Sequence, residues 1–383
     1  MGSVKLLILY ARSGGGHESA AKAIRNQVHS RYGDTVEVEL LDIFSDSPKW
    51  VQWSFSQGYV LLVEKIFPIW ALLTILWKVP VFASLSGYLI SLQAKKIIQK
   101  TIHQFAPDKV ISTYIFGAEI ANQIFKKSDS HIRTKVIVTE IFRPPSIWFL
   151  NKDNQYLVFS SIAKSVALQS QILVQNIRQF DYFFQEYQSN QAKIIYIKKE
   201  LGFNTKDSVP SKPLVLIVGG GDSMPGGKAI LQAILESQIS FDVTFVCGRN
   251  LKLKQSCELI LANFYNIGGV REVKILGFTE YLQELIDQAT VVISKAGPAT
   301  VLETLGHGKP LILSSYIWEQ EKGNMEFVVN NQLGFYEPKP KELVKKLELL
   351  LNNPKEIEKL ITNNRNLNLV SGIGDLVKYL VEG

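Results

Sequence analysis

Residues 295–303 read Lys295-Ala296-Gly297-Pro298-Ala299-Thr300-Val301-Leu302-Glu303, and this stretch decides the fold. Just before it, Thr290-Val291-Val292-Ile293-Ser294 is apolar enough for a strand in a parallel sheet covered on both faces. The chain then turns through Gly297-Pro298 and opens a helix that runs from Thr300 through Leu302, Leu305 and Gly306. A helix that starts there points its free N–H groups at whatever anion sits outside the turn. Glu303 lies one turn further in, within reach of a sugar hydroxyl beside a bound phosphate. After the next strand, Pro310–Leu313, the segment Trp318-Glu319-Gln320-Glu321-Lys322-Gly323-Asn324 gathers hydrogen-bonding side chains in a loop. A phosphate seat, a carboxylate for ribose and an amide–carboxylate pair for a second sugar together describe a nucleotide-sugar pocket.

Outward from this stretch, strands alternate with helices along most of the chain. The first half reads as strand Val4–Tyr10, helix Glu18–Arg31, strand Val36–Leu41, an aromatic excursion, helix Ser91–Phe105, strand Lys109–Thr113, helix Gly117–Lys127 and strand Lys135–Thr139. A polar, proline-bearing segment, Asp207–Pro213, is the candidate linker. The alternation restarts with strand Leu214–Val218, helix Gly227–Ser237, strand Phe241–Cys247, helix Leu251–Asn263, strand Val273–Leu276 and a short helix Tyr281–Gln288. The pattern predicts an α/β fold with two Rossmann-like, doubly wound parallel-sheet domains, 1–206 and 207–369.

Five glycine-containing segments carry a family resemblance. KAGPATVLETLGHGKPLIL (295–313) and WEQEKGN (318–324) resemble the donor-binding region of the monogalactosyldiacylglycerol synthases, the processive diacylglycerol glucosyltransferases and the glycosyltransferase that makes the lipid intermediate of peptidoglycan. Ser13-Gly14-Gly15-Gly16-His17-Glu18-Ser19-Ala20-Ala21 resembles the acceptor-side loop of that family. Gly219-Gly220-Gly221-Asp222-Ser223-Met224 and Val246-Cys247-Gly248-Arg249-Asn250 fall between them in the family's order. The resemblance implies a GT-B architecture, with two domains facing across a cleft and the last helix, within 370–383, returning to pack on the first, and transfer of galactose or glucose from a UDP-sugar to a lipid. The chain departs from the family at Glu140, where relatives carry aspartate, at Ala299, the third residue of the usual Gly-Pro-Gly-Thr, and at Ile197–Gly202, where a Gly-Ile-Pro stretch is usual.

Composition narrows the setting. At 383 residues, with 46% hydrophobic and 20% charged, the chain is globular and long enough for two cores. Its two cysteines argue for a reducing compartment, and Val4–Tyr10 is too short for a secretory signal, so a cytoplasmic protein is expected. A net charge of +7 favours anionic partners. Without a recognition helix, zinc finger or RNA-binding signature, nucleic acid is not expected among them.

Between Trp50 and Leu92 the chain turns aromatic, and four of the six tryptophans lie within Trp50–Trp77. The uncharged run Ile66–Trp77 is shorter than the ~20 residues that span a bilayer, and Lys65, Lys78, Pro68 and Pro80 interrupt the region. Two readings fit: buried helices of the first domain, or a pair of interfacial helices in which Trp53, Phe67, Trp70 and Trp77 sit at headgroup depth. The lipid-acting family favours the second, a peripheral association with an anionic membrane surface.

The reaction implied by the resemblance needs a base for the acceptor hydroxyl and a holder for the departing diphosphate. His17, where Gly14, Gly15 and Gly16 meet a helix start, is the candidate base, since a helix N-terminus disfavours imidazolium. Glu140 is expected near the acceptor or orienting His17. The diphosphate falls to Gly219, Gly220, Gly221 and the amides that follow Gly297, Pro298, Ala299 and Thr300, a helix end contributing roughly 0.3–1 kcal/mol. Glu303 is assigned to the ribose, Gln320 and Glu321 to the hexose with Asn324 supporting, and Phe278 to the base through backbone contacts. No Asp-x-Asp pair follows a strand and no His/Cys cluster has ligand spacing, so the expected donor binding uses neither metal nor cofactor. Competing classes fit less well: Gly14–Ser19 lacks the third glycine of the dinucleotide fingerprint, and Gly227-Lys228 is followed by Ala229 where a P-loop needs Ser or Thr. A non-catalytic sensor of nucleotide sugar or lipid, or a transferase acting on a polyprenyl-linked or already glycosylated lipid, stays open at this stage.

Overall fold

Strand burial alternates across the second sheet in a way that assigns each side chain to one of two cores. Val215 and Ile217, Val291 and Ile293, and Ile312 belong to one apolar cluster, while Leu216 and Val218, Val292, and Leu311 and Leu313 belong to another. This period of two is what a pleated strand covered on both faces requires. The structure, a computed structural model, describes residues 3–12, 16–58, 62, 66–76, 80–128, 130–184, 212–219, 224–237, 240–264, 270–318 and 320–383.

Among the described residues the strands form two six-stranded parallel sheets. In the first, β1 (Val4–Tyr10), β2 (Val36–Asp42), β3 (Lys109–Ser112), β4 (Lys135–Ile137), β5 (Gln155–Val158) and β6 (Ile177–Gln179) are ordered 2-1-3-4-5-6. In the second, β7 (Leu214–Val218), β8 (Phe241–Val246), β9 (Val270–Leu276), β10 (Val291–Lys295), β11 (Leu311–Ser315) and β12 (Gly334–Tyr336) are ordered 12-11-10-7-8-9, the doubly wound arrangement. Winding reverses between β1 and β3 in one sheet and between β7 and β10 in the other. At such a switch point the connections leave in opposite directions, opening a crevice at the carboxyl ends of the strands.

The α/β reading of the sequence holds, and several boundaries move. The helix expected from Ser91 begins at Pro80 and runs to Phe105. The strand expected from Lys135 to Thr139 stops at Ile137, which leaves Thr139 and Glu140 in the loop beyond it. The helix after Gly297 starts at Pro298, not Thr300, because proline suits the first helical position, where no N–H is needed. Strands β5, β6 and β12 and the helices Ser161–Gln169, Lys322–Asn330, Pro340–Leu351 and Pro354–Asn366 are further elements that the sequence reading did not name. The stretch Ile197–Gly202 and residues 207–211 of the expected linker lie outside the described residues.

The chain divides into two units: residues 1–185, 318–320 and 371–383 in the first, and 186–317 with 321–370 in the second. The last helix, Ile373–Glu382, therefore belongs to the first unit, and its attachment is specific. Tyr182 and Ser371 form a bridge, Gly372 donates its N–H to the Tyr182 carbonyl at 2.8 Å, and Lys109 Nζ reaches the Val381 carbonyl at 2.7 Å. The Tyr379 ring takes two cations, Lys135 Nζ at 4.4 Å and the Arg178 guanidinium at 4.1 Å. Mutual repulsion would oppose such a gathering of charge, and burial with that repulsion lowers the Lys135 pKa.

Gly372 is where this attachment tolerates no side chain, since a Cβ there would sit 2.5 Å from the Asp181 carbonyl oxygen and 2.8 Å from its nitrogen. Gly372→Ala is expected to destabilise the first unit by about 1–3 kcal/mol, the cost of overpacking, seen as a lower urea midpoint in its unfolding transition.

Candidate functional site

Both groups of chemically interesting residues lie at the two switch points. In the first unit the loops leaving β1, β3 and β4 bring together His17, Thr113, Tyr114, Thr139 and Glu140. His17 is the second residue of the Gly16–Tyr32 helix and only 7% exposed. Its backbone carbonyl accepts from Thr113 Oγ1 at 3.0 Å, and its ring stands edge-on to Tyr114, centroids 5.2 Å apart, with Trp148 tilted against it at 5.8 Å. These contacts fix the ring plane.

The polar contacts then fix the ring's protons. Thr139 Oγ1 lies 3.2 Å from His17 Nδ1 and donates to Glu140 Oε2 at 3.1 Å. A hydroxyl has one proton, and here it is committed to the carboxylate, so the contact with the ring requires the proton to be on Nδ1. On that assignment Nε2 keeps the lone pair. Burial pushes the His17 pKa below its ordinary value, opposed by the charge of Glu140 and by the Thr113 carbonyl. The ring is therefore neutral at neutral pH, the state a base needs. Glu140 is buried too, and its Oε1 accepts from Gln320 Nε2 at 2.8 Å, residue 320 lying in the short segment Trp318–Gln320 that groups with the first unit. Burial and the Glu140 charge push the neighbouring Tyr114 phenol up, so it stays protonated.

In the second unit β10 delivers the chain to the Pro298–Gly306 helix. The first backbone bond of that helix is Val301 N–H to the Gly297 carbonyl at 3.0 Å. Because Pro298 has no N–H, the amides of Ala299 and Thr300 are the ones left without an intrahelical carbonyl. The turn before them is braced from below. Asn324 Nδ2 donates to the Ala296 carbonyl at 2.8 Å, and Lys295 forms a buried ion pair with Glu321, whose other oxygen accepts from the Ile317 N–H at 2.9 Å. A Cβ on Gly297 would come within 3.4 Å of Lys295 Nζ, so the ammonium lies directly against the turn.

Glu303 differs from its neighbours in having no hydrogen-bond partner among the described residues. Its side chain is partly buried, and among the described residues no group donates to its carboxyl. Burial alone pushes its pKa up to about 7. A carboxyl taken from water without compensation is an acceptor waiting for a donor.

The remaining sequence assignments fall as follows. Glu321 and Asn324, expected on the hexose, spend hydrogen bonds on Lys295, the Ile317 N–H and the Ala296 carbonyl, so both brace the turn. Gln320, also expected there, holds Glu140. Phe278 is exposed, with the Arg249 guanidinium 5.0 Å over its ring. Gly219 is buried at the end of β7 and Gly16 begins its helix, while Gly14, Gly15, Gly220 and Gly221 lie outside the described residues. Among the described residues no three of His, Cys, Asp and Glu gather in a way that would hold a metal ion. The sequence reading passed over Thr139, Tyr114, Trp148 and Lys295. Of these only Lys295 carried a visible signal, a lysine ending an otherwise apolar strand.

Two solved structures share this architecture: MurG of Acinetobacter baumannii, 13% identical over 99% of this chain and 100% of that one with a TM-score of 0.58, and HepE of Anabaena in complex with UDP-glucose, 14% identical over 99% of each with a TM-score of 0.58. The fold is GT-B, that of a large class of glycosyltransferases. Residues 17–180 match the family model of monogalactosyldiacylglycerol (MGDG) synthase, and residues 214–373 match that of the glycosyltransferase family 28 C-terminal domain. Monogalactosyldiacylglycerol synthase 2 of Arabidopsis thaliana is 26% identical over 98% of this chain and 80% of its own length, and synthase 3 of the same plant is 27% identical over 97% and 80%. The enzyme of Spinacia oleracea is 26% identical over 89% of this chain, which spans 65% of that relative. The chain is a glycosyltransferase, similar over most of its length to the monogalactosyldiacylglycerol synthases.

Because the Glu303 carboxyl has a folded-state pKa of about 7 against an ordinary 4.5, its protonated form favours the fold. That contribution is complete below pH ~4.5 and disappears as the pH rises through ~7. Glu303→Gln, which keeps the neutral shape, is expected to melt with the wild type at pH 4.5 and to be more stable than it at pH 8, by at most about 3 kcal/mol. Melting curves at the two pH values read the difference.

Proposed function

We propose that this protein transfers galactose or glucose from a UDP-sugar to a lipid hydroxyl, that of diacylglycerol, with inversion at the anomeric carbon and at a membrane surface. The observation that carries the reading is the second switch point, where the Ala299 and Thr300 amides open a helix and the unpartnered Glu303 carboxyl stands one turn inside it. Two amides suit diphosphate oxygens, and a desolvated acceptor suits the ribose hydroxyls. HepE, with the same fold, holds UDP-glucose, and the sequence relatives are named for galactosyl transfer to diacylglycerol; both support the choice of donor and acceptor.

The chemistry follows from the two sets of residues. His17 Nε2 takes the proton of the acceptor hydroxyl as its oxygen bonds to the anomeric carbon. The bond from that carbon to the diphosphate breaks, and UDP leaves with the electron pair. One displacement inverts the centre. The imidazolium formed is stabilised by Glu140 through Thr139, while helix amides offset the charge on the leaving group. Donor binding of this kind needs no metal.

Full-length protein mixed with diacylglycerol vesicles and each UDP-hexose in turn is expected to release UDP, undiminished by EDTA. His17→Ala should lower that rate by about 10²–10⁴ while UDP still binds. UDP release that survives His17→Ala removes the base from the mechanism, and failure of UDP to bind in either protein removes the donor site.

Membrane docking is the second element of the proposal. No described helix is long and apolar enough to cross a bilayer. On the Pro80–Phe105 helix, however, Val81, Phe82, Leu85, Tyr88, Leu89 and Leu92 are all exposed, and Trp50 and Trp53 are exposed on the preceding Lys49–Trp53 helix. The stripe at helical spacing gives way to Lys96, Lys100 and His103, also exposed. An apolar face ending in cations matches acyl chains bordered by anionic headgroups. Of the other aromatics expected at the membrane, Trp77 lies outside the described residues, and Phe67 and Trp70 contribute helix backbone only. Replacing Leu85, Leu89 and Trp53 together by serine is expected to reduce flotation with anionic vesicles at least tenfold, with the melting temperature unchanged because exposed side chains give up little packing. A collapse of the melting temperature would assign them to the core.

A further inference from the structure

We propose that Thr139 is a positioning residue that carries the influence of Glu140 to His17 through its hydroxyl, fixing the ring tautomer that leaves Nε2 as the base. The inference rests on His17 being the base, as argued above, and adds what makes it one. His17 and Glu140 are not joined directly by any hydrogen bond among those described. Between them stands a β-branched side chain, 8% exposed, with Oγ1 3.2 Å from Nδ1 and 3.1 Å from Oε2. A threonine has few χ1 states, so its hydroxyl is held where an aspartate or glutamate alone would swing.

The alternative tautomer is disfavoured by the same geometry. With the proton on Nε2, Nδ1 would need the Thr139 hydroxyl as donor, and Glu140 Oε2 would lose its bond in a buried setting. Glu140 cannot shift to compensate, because its other oxygen is held by Gln320 at 2.8 Å. Nor can the ring turn to exchange its nitrogens, because Tyr114 and Trp148 pack against it. When Nε2 takes the acceptor proton, the chain Nδ1–H to Oγ1–H to carboxylate is already in place for the cation. No proton has to leave Nδ1.

Among the described residues, the titratable groups facing the ring are Glu140 from the loop after β4 and Tyr114 from the loop after β3. On its own helix Glu18 is buried and paired with Lys22 at 2.8 Å. A change in the pH dependence of the reaction on altering Thr139 is therefore read through Glu140 and His17.

The experiment uses the full chain with vesicles containing diacylglycerol and whichever UDP-hexose it turns over, from pH 5 to 8.5. Thr139→Val keeps the shape and removes the hydroxyl. It is expected to lower kcat about 10- to 100-fold, part of what a general base supplies, with KM for the UDP-sugar within about twofold. The acid limb of the pH profile should move to lower pH, because an imidazolium without its acceptor chain forms less readily. Thr139→Ser should restore kcat to within about threefold of wild type. Histidine ¹⁵N spectra give a reading that needs no turnover: the wild-type His17 ring should carry its proton on Nδ1, and Thr139→Val should mix the tautomers. Wild-type kcat and an unmoved limb in Thr139→Val, with His17→Ala inactive, would overturn the relay and leave the base. A wild-type ring protonated on Nε2 would also overturn it. Activity retained in His17→Ala would remove base and relay together.

Discussion

Covering both faces of a parallel sheet is the constraint on which everything else in this protein depends. Once Val215 and Ile217 face one core and Leu216 and Val218 the other, no strand face is left for polar chemistry. The reactive side chains must then stand at the strand ends, in the loops that carry the chain into its helices. His17, Thr139 and Glu140 do so in one sheet, and Lys295 through Glu303 do so in the other. Lateral placement follows from the order of winding, because a crevice opens only where neighbouring connections diverge.

The two switch points solve the problem of buried polarity in different ways. Around His17 the threonine hydroxyls, the Glu140 carboxylate and Nδ1 partner one another, an arrangement that keeps a lone pair on the other ring nitrogen. Around Glu303 the opposite holds: the helix is braced through Lys295, Glu321 and Asn324, while one partly buried carboxyl has no donor among the described residues. Satisfied networks give orientation, and an unsatisfied group gives appetite for a ligand. A base needs the first, and a binding site for a hydroxyl-bearing ligand is served by the second.

How much of this was legible in the sequence depended on distance along the chain. Strands such as Val4–Tyr10 and Val291–Lys295 announced themselves as unbroken apolar runs, and the Gly-Pro helix start was readable as local chemistry. Three-residue strands such as Ile177–Gln179 and Gly334–Tyr336 carry too few residues to show a period. The Pro80–Phe105 helix was divided at Ser91 because its exposed apolar stripe gives way to exposed Lys96, Lys100 and His103, so the two halves differ in composition though not in period. Thr139 was passed over because its meaning comes from His17, 122 positions away. The contacts of Glu321 with Lys295 and the Ile317 N–H were not legible either, because both partners are set by the turn and not by the local sequence.

The return of the last helix to the first unit shapes how the protein is made. Apart from Trp318–Gln320, residues 186–370 follow one another without interruption into the second unit, so that half has its whole strand set before the final segment is translated. The first unit, although its strands emerge earliest, lacks the cover over Lys109, Lys135 and Arg178 until Tyr379 arrives. Synthesis in chain order thus completes the strands of the second unit before the segment that covers Lys109, Lys135 and Arg178 in the first. The half whose helices present apolar side chains to solvent is also the half that closes last, and a nascent chain already resting on lipid would have that surface sheltered while it waits.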